Sequence, residues 1–354
     1  MSIRECKGRR FWYIFASMVL LTGTAFALQK KPTTAADLAL YQGTDRQQIL
    51  EGGARKEGRI TLYTTGIPQT LRPKVTAFEK KYPYIKVEVW RAGTNELVPK
   101  VFEEYLAGRH VVDIIEITQG GELALEERGI IQPFYSPNLA FIQDNAIRRA
   151  PGGAAFSAGH YENGHSLGYN TKLIPKTEVP KTYLDLLDPK WKGKMAIPID
   201  MTGKNWVGLM AETYGEDFVR RLAKQDIAIH ALASVALLEM IANGEYALSP
   251  SIADAHVTES KKNGSPIDWA PLEPVYINLG QITLPQHPVN PHAALLYIDF
   301  DLSRETGEIY KAKGNVSPRK DIPGRTTYKK YYGPYSTKQL AHWNELFNQV
   351  FLKK

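Results

Sequence analysis

The chain has 354 residues, of which 43% are hydrophobic and 23% charged, so it is longer than one ordinary domain and has the composition of a globular protein. Its net charge of +7 falls to +4 without residues 1–27, because that segment carries four basic residues and one acidic residue. A charge this small does not predict a nucleic-acid partner. The one cysteine, Cys6, lies in the same segment, so disulfide and thiol chemistry are excluded from the remainder.

The N-terminus has the pattern of a secretory signal peptide. Basic residues precede a short apolar run, Phe11–Leu21, and an A-x-A triplet follows at Ala25–Ala27. A transmembrane anchor is the alternative, but the run is shorter than the about 20 residues that a membrane helix needs. We therefore predict export to the periplasm with cleavage after Ala27. The pair Arg9-Arg10 leaves the choice between Sec and twin-arginine export open.

Strand and helix patterns alternate from residue 44 to about residue 129, after a loose polar segment at 28–43. Predicted helices follow the strand-like stretches Ile60–Thr64, Ile85–Trp90 and Val111–Ile117. This alternation predicts an α/β fold with a parallel, doubly wound sheet. Ligands of such sheets bind beyond the carboxyl ends of the strands.

The three loops at those carboxyl ends are short, neutral and rich in hydroxyl, amide and glycine groups. Each loop alone is an ordinary helix cap. Three in succession on one edge of a sheet predict a binding site. The candidate residues on this edge are Thr64, Thr65, Thr94, Asn95, Thr118 and Gln119.

A second αβ series begins after a glycine-rich region, Pro151–Gly164, which predicts a boundary or hinge loop. Ser166–Asn170 resumes as a strand, and a further strand at Met195–Ile199 leads into a polar loop, Asp200–Asn205, before a helix that starts at Trp206. A strand, a polar glycine loop and a helix N-terminus are typical of ligand sites, because the first N–H groups of the helix are unpaired. The candidate residues of this series are Tyr169, Asn170, Thr202, Lys204, Asn205, Trp206 and Ser251.

A later strand, Val275–Thr283, is placed to cross back to the first series. We therefore predict two doubly wound αβ lobes joined by crossover strands. The first lobe comprises 44–160 and 277–322, and the second comprises 161–276 and 323–354. Two crossings between lobes predict a hinge that closes on a ligand.

Several segments together resemble one protein family. In chain order they are ALYQGTDRQQILEGGARKEGRITLYTT, LLDPKWKGKMAIP, ANGEYAL, PVYINLGQITLPQHPVNPHAALLYIDFDLSRETGEI and NVSPRKDI. They resemble the periplasmic solute-binding proteins of ABC importers, in the type 2 branch that includes ferric-iron binders and relatives for small organic and phosphorylated solutes. The resemblance implies two αβ lobes that close on a solute, and delivery of that solute to an ABC permease in the cytoplasmic membrane.

Ferric iron is the alternative solute within this family. Ferric binders of the branch typically carry two adjacent tyrosines after the strand that follows the GEY segment, where this chain has Ser251-Ile252-Ala253. The loop after the first strand also lacks the histidine that iron binders often have. Both departures argue against iron. Tyr331-Tyr332 is an adjacent pair, but we interpret it as a surface pair in the C-terminal tail.

A secreted hydrolase is the alternative from another functional class. The Walker, G-x-G-x-x-G, G-x-S-x-G and H-E-x-x-H patterns are absent from the sequence. His160, Glu162 and His165 have a loosely metal-like spacing on the predicted glycine-rich loop, without support for ligand number or geometry. We therefore predict neither an enzyme, nor a metal, nor a cofactor.

The sequence as a whole predicts a monomeric receptor for a small solute. Its candidate residues are mostly neutral hydrogen-bond donors, with Lys204 as the one cation. Helix N-termini add about +0.5 charge each at such a site. These features favour an organic anion, such as a carboxylate or a phosphorylated compound, with an apolar part against Trp206. A place in the core is the alternative for Trp206.

Overall fold

Strands and helices alternate through residues 31–231, 234–323 and 326–353, which are the residues that this computed structural model describes. The helices are α1 (Ala35–Leu40), α2 (Arg46–Glu57), α3 (Pro68–Lys81), α4 (Thr94–Leu106), α5 (Gly121–Glu127), α6 (Met201–Tyr214), α7 (Glu216–Ala223), α8 (Ser234–Asn243), α9 (Asp254–Lys262), α10 (Pro291–Asp301), α11 (Arg304–Ala312) and α12 (Thr337–Phe347). The strands are β1 (Arg59–Thr64), β2 (Lys86–Arg91), β3 (Ile114–Thr118), β4 (Ile131–Gln132), β5 (Ile147–Arg149), β6 (Ala155–Asn170), β7 (Ala196–Pro198), β8 (Ala228–His230), β9 (Leu248–Ala253), β10 (Ile267–Ala270), β11 (Val275–Pro285) and β12 (Lys330–Tyr331).

The first lobe is built on the predicted parallel strands. β1 pairs in parallel with β2 and β3, and β11 continues the sheet antiparallel to β3. Successive residues of β1 point to opposite faces, so Leu62 joins one hydrophobic core with α2, α3 and α10 while Tyr63 joins another with α4. Helices therefore cover both faces of the sheet, as the doubly wound arrangement requires.

The second lobe repeats this plan around shorter strands. β7 pairs in parallel with β8, and an isolated parallel bridge joins Met195, beside β7, to Leu248 of β9. One core lies under α6, α7 and α12, and a separate core lies under α8 and α9. In α12, Trp343 packs so closely on α6 that a side-chain carbon at Gly208 would lie 1.9 Å from its ring.

Two long antiparallel strands, β6 and β11, run through both lobes. β6 pairs with β11 over most of their length and then with β9 and β10 in the second lobe. The part of Pro151–Gly164 predicted as a loop is therefore a strand from Ala155 onwards, while the boundary or hinge in this region stays a prediction. The glycines serve close packing instead: a side-chain carbon at Gly164 would lie 2.6 Å from the hydroxyl of Tyr328, and one at Gly280 would lie 2.2 Å from the ring of Tyr161.

The N-terminal segment is more ordered than predicted. Thr34 and Asp37 form a capping box on α1, and Leu38 and Ala39 are buried against the first-lobe core. The predicted signal peptide at 1–27 lies outside the described residues. Within the described ranges, no helix combines the length and the apolarity needed to cross a membrane.

Candidate functional site

The carboxyl ends of β1 and β3 lie side by side on one edge of the first lobe. The backbone N–H of Thr65 donates to the carbonyl of Glu116 at 3.0 Å, and the hydroxyl of Thr64 donates to the Glu116 carboxylate at 2.9 Å. The hydroxyls of Thr94 and Thr118 lie 3.2 Å apart. The structure thus brings together Thr64, Thr65, Thr94 and Thr118, four of the residues predicted for this edge. We call this region the first-lobe edge. Asn95 is exposed beside them.

The loop after β3 faces the second lobe. A side-chain carbon at Gly120 would lie 3.8 Å from the side chain of Met201, the first residue of α6. Gln119 donates from Nε2 to the carbonyl of Pro334 at 3.0 Å, and its Oε1 is buried with no hydrogen-bond partner among the described residues. The loop after β3 and the start of α6 therefore lie close together.

On the second lobe, the loop predicted at Asp200–Asn205 is helical from Met201 onwards. Asp200 is the N-cap of α6 and accepts a hydrogen bond from the N–H of Thr202 at 2.8 Å. Gly203 is not at a bend: it lies within the first turn, where a side-chain carbon would be 1.9 Å from the carbonyl oxygen of Pro198. A capping aspartate and a close helix–strand contact explain why the helix starts earlier than predicted.

Ser251 contacts Thr202 at the start of α6, and we call this region the second-lobe edge. Ser251 lies in β9 and donates from its hydroxyl to the carbonyl of Thr202 at 3.1 Å. Lys204 is partly exposed one turn along α6, close enough to Asp200 for the two charges to interact. Burial raises the pKa of Asp200, against the opposing effect of hydrogen bonds from Thr202 and Gly203. The cation predicted for the site therefore has a carboxylate beside it.

Asn205 points inward from α6 and is buried. Its Nδ2 donates to the hydroxyl of Tyr276 on β11 at 2.7 Å, while its Oδ1 has no hydrogen-bond partner among the described residues. The ring of Tyr276 also contacts His165, its register partner on β6, with ring centroids 5.9 Å apart. Tyr276 was not among the predicted candidates, and His165 was considered only for a loosely metal-like spacing on a predicted loop.

Trp206 does not line the cleft as predicted. Only 1% of its surface is exposed, and it packs in the second-lobe core with Leu209 and Phe347. Its Nε1 has no partner within the described ranges. We therefore assign Trp206 to the core, since the helix presents Asn205 rather than Trp206 towards β11.

Tyr169 and Asn170 lie at the end of β6 and make their contacts within the second lobe. The side-chain amide of Asn170 donates to the carbonyl of Ile241 at 2.8 Å, and its Oδ1 accepts from the N–H of Lys172 at 2.8 Å. Tyr169 is buried in the second-lobe core. β6 passes into the second lobe near His165. Its last two residues, Tyr169 and Asn170, therefore do not lie at the first-lobe edge.

A group of buried charges lies beneath the first-lobe edge. Lys74 of α3 contacts Glu116 of β3 and donates to Asp301 of α10 at 2.8 Å and to the hydroxyl of Tyr310 at 3.0 Å. His160 of β6 contacts the other oxygen of Asp301. All of these side chains are almost completely buried, and we call them the Lys74 cluster. No sequence spacing pointed to it, because its members come from separate elements.

The charged groups of the Lys74 cluster stabilise one another's charged forms. Burial alone would lower the pKa of Lys74, but the carboxylates of Asp301 and Glu116 raise it well above its usual value. Burial alone would raise the pKa of Asp301, but His160 and Lys74 lower it below its usual value. Both groups are thus held in their charged forms, and they compensate each other.

Three members of this cluster have donor atoms within reach of one metal ion. The oxygen and nitrogen atoms of Glu116, His160 and Asp301 lie within 4.8 Å of one another, the one such group in the part of the chain that the structure describes. Lys74 contacts both carboxylates of that group. Its ammonium therefore supplies the positive charge that a metal ion would bring, and the residues do not fit a metal site as they stand.

His160, Glu162 and His165 do not act together as a metal site. His160 contacts Asp301 in the first lobe, whereas His165 packs against Tyr276, so the two histidines have different partners. Glu162 contacts Lys330 and accepts a hydrogen bond from the hydroxyl of Tyr332 at 2.8 Å. Tyr332 is therefore buried, and the interpretation of the tyrosine pair as a surface pair is wrong for that residue.

A crevice between the first-lobe edge and the crossing strands is too tight to hold a water molecule. It is lined by Thr64, Thr65, Gly66, Glu116, Ile117, His160, Tyr161 and Gly280. Polar groups of the first-lobe edge thus pack directly against the crossing strands.

Known proteins resemble this chain over most of its length. Residues 123–327 match the sequence pattern of the family described as bacterial extracellular solute-binding proteins. A Haemophilus influenzae protein without an assigned function is 24% identical over 281 residues, which span 75% of this chain and 79% of that protein.

Two solved structures share the fold. Iron-bound HitA from Pseudomonas aeruginosa superposes with a TM-score of 0.70 at 19% identity, covering 82% of this chain and 99% of HitA. The periplasmic binding protein AfuA from Actinobacillus pleuropneumoniae, with fructose-6-phosphate bound, superposes with a TM-score of 0.68 at 19% identity, covering 84% of this chain and 100% of AfuA. The two-lobed periplasmic binding protein fold is therefore confirmed.

Proposed function

The chain belongs to the family of bacterial extracellular solute-binding proteins, and we propose that it captures one small solute between its lobes and delivers it to an ABC importer. Proteins of this family bind small solutes and work with ABC transporters, and their family implies a periplasmic location. We propose further that the protein acts as a monomer, that residues 1–27 are its cleaved leader, and that its lobes divide as 44–160 with 277–322 and 161–276 with 323–354.

One observation carries this proposal: polar groups of the first-lobe edge and the start of α6 lie close together. The hydroxyls of Thr94 and Thr118 lie on one side, and the start of α6 lies on the other. The hydroxyl of Ser251 donates to a backbone carbonyl rather than to a base, so it is not arranged as an activated nucleophile. This arrangement supports capture of a solute rather than its chemical conversion, and it does not favour a hydrolase.

An organic anion remains the solute class that we propose. The N-terminus of α4 carries no side-chain cap, and Thr94 is its first residue, so its free N–H groups and hydroxyl act as donors. The start of α6 contributes less than the sequence predicts, because the carboxylate of Asp200 already caps it. The anionic part of the solute is therefore expected against the first lobe.

Ferric iron is not favoured. HitA binds iron and AfuA binds fructose-6-phosphate, so the fold alone admits both kinds of solute. In this chain Tyr332 donates to Glu162, which gives its hydroxyl a structural partner. A visible absorption band on adding ferric ion, as tyrosinate–iron complexes give, would count for iron.

A thermal-shift screen of the mature protein tests the proposal. The panel holds sugar phosphates, polyols, amines, di- and tricarboxylates and ferric ion. A solute at 100 times its dissociation constant stabilises the folded protein by about 2.7 kcal/mol. We expect at least one organic anion to raise the melting temperature, whereas no shift with any member would contradict the proposal.

Replacing Thr94 or Asn205 by alanine should weaken binding of the solute found in that screen by about 1–3 kcal/mol, because a buried polar partner is left unpaired. Calorimetric titration measures the effect. The matched control is Asn263→Ala, an exposed asparagine at the end of α9, which should bind like the parent. Parent-like affinity in both site variants would place the cleft elsewhere.

A further inference from the structure

Two buried polar atoms on the second-lobe side of the crossing strands have no partner within the described ranges. They are Nδ1 of His165 and Oδ1 of Asn205, and each residue exposes only 4% of its surface. Both side chains contact Tyr276: Asn205 donates to its hydroxyl, and His165 packs against its ring. Buried polar groups in native proteins are almost always hydrogen-bonded, so two unpaired atoms around one residue require an explanation.

Both atoms are hydrogen-bond acceptors. Asn205 uses its amide N–H to reach Tyr276, which leaves the carbonyl oxygen unpaired. Burial lowers the pKa of His165 and the backbone of Ser251 opposes this, which is the effect of a carbonyl that accepts a hydrogen bond from the ring. Because Nδ1 has no partner, that donor is the other nitrogen, and in a neutral imidazole Nδ1 then carries the lone pair.

The ring of His165 is neutral. Burial and, to a smaller extent, the nearby His256 lower its pKa to about 3. Burial also lowers the pKa of His256. His165 therefore carries no positive charge that would attract an anion at neutral pH.

His165 also lies at the cleft end of the second lobe. In the β6–β9 ladder it pairs with Ala253, the last residue of β9, and so stands at the carboxyl end of that strand. Ser251 and the start of α6 lie at the same end. This is the end of an αβ sheet at which ligands bind.

We propose that His165 and Asn205 form the second-lobe wall of the solute site and accept hydrogen bonds from hydroxyl or amine groups of the solute. This rests on the proposed function. The solute then carries an anionic group towards the first lobe and hydrogen-bond donors towards the second. A carboxylate or phosphate oxygen does not fit the second wall, because acceptor would meet acceptor.

The test uses two pairs of probes that share an anion and differ in donors. The pairs are glucose 6-phosphate with hexyl phosphate, and 6-aminohexanoate with hexanoate. In calorimetric titrations of the mature protein, we expect the donor-bearing member of at least one pair to bind at least 10-fold more tightly than its counterpart. His165→Phe should remove this preference, His165→Gln should retain part of it, and His342→Phe, at an exposed histidine on α12, should match the parent.

Parent-like preference in folded His165→Phe, or a preference for the donor-free members, would overturn the inference while leaving solute binding intact. If no member of either pair binds and no compound of the thermal-shift panel raises the melting temperature, both the proposed function and the inference are contradicted. Nitrogen NMR of His165 gives an independent readout, in which Nδ1 should be unprotonated at pH 7. A proton found on Nδ1 would contradict the assignment.

Discussion

Replacing Lys74 by methionine should lower the free energy of unfolding by about 3–5 kcal/mol, the usual effect of removing one partner from a buried ion pair. The side chain is fully buried and donates to Asp301 and Tyr310 at 2.8 and 3.0 Å while contacting Glu116. Without the ammonium, two carboxylates remain buried beneath the first-lobe edge with too little positive charge. Chemical denaturation followed by circular dichroism measures the loss.

Lys80→Met is the matched control, because Lys80 is exposed on the same helix and should change stability little. The pH dependence gives a second check. Lys74 helps to lower the pKa of Asp301, so the parent keeps this contribution above the unfolded pKa of the carboxyl and loses it as the pH falls. The deficit of the variant should therefore be largest near neutral pH and shrink in acid. Equal stability of parent and Lys74→Met at pH 7 would contradict the role of the cluster.

Replacing Trp206 by alanine should cost about 3–5 kcal/mol of stability, as large-to-small changes of buried aromatic residues do. The side chain is 1% exposed and packs with Leu209 and Phe347, so its removal leaves a cavity in the second-lobe core. Thermal and chemical unfolding measure the loss. A variant of nearly parental stability that binds solute weakly would instead place Trp206 at the cleft.

Trp90→Ala is the corresponding control. Trp90 lies on the edge strand β2, where it is only partly buried against Tyr63, so the same change should cost less. A larger loss at Trp90 than at Trp206 would contradict the assignment of Trp206 to the core.

The first lobe was predictable because its signals are local. β1 carries apolar residues at strand spacing, and it starts one residue earlier than predicted, at Arg59, and ends at Thr64 as predicted. β6 was not predictable in this way. Its glycines pack against Tyr328 and other side chains from distant parts of the chain, so they read as a loop until those partners are known.

The candidate site was predictable only in part, for the same physical reason. Thr64 and Thr118 follow from the rule that ligands bind at the carboxyl ends of parallel strands. Lys74 and His165 do not, because their roles arise from contacts with residues far away in sequence. Adjacent residues of a helix point to different faces, so Asn205 faces β11 while Trp206 faces the second-lobe core. The sequence alone does not show which of the two faces the core.

Small-angle X-ray scattering of the mature protein, with and without the solute identified by the screen, tests most directly whether the lobes close on a solute. The first-lobe edge and the start of α6 lie close together, and β6 and β11 are the strands that connect the lobes. We expect the radius of gyration to fall at saturation, because bound solute holds both edges together. A radius of gyration that is unchanged by a solute shown to bind would contradict capture by closure of the two lobes.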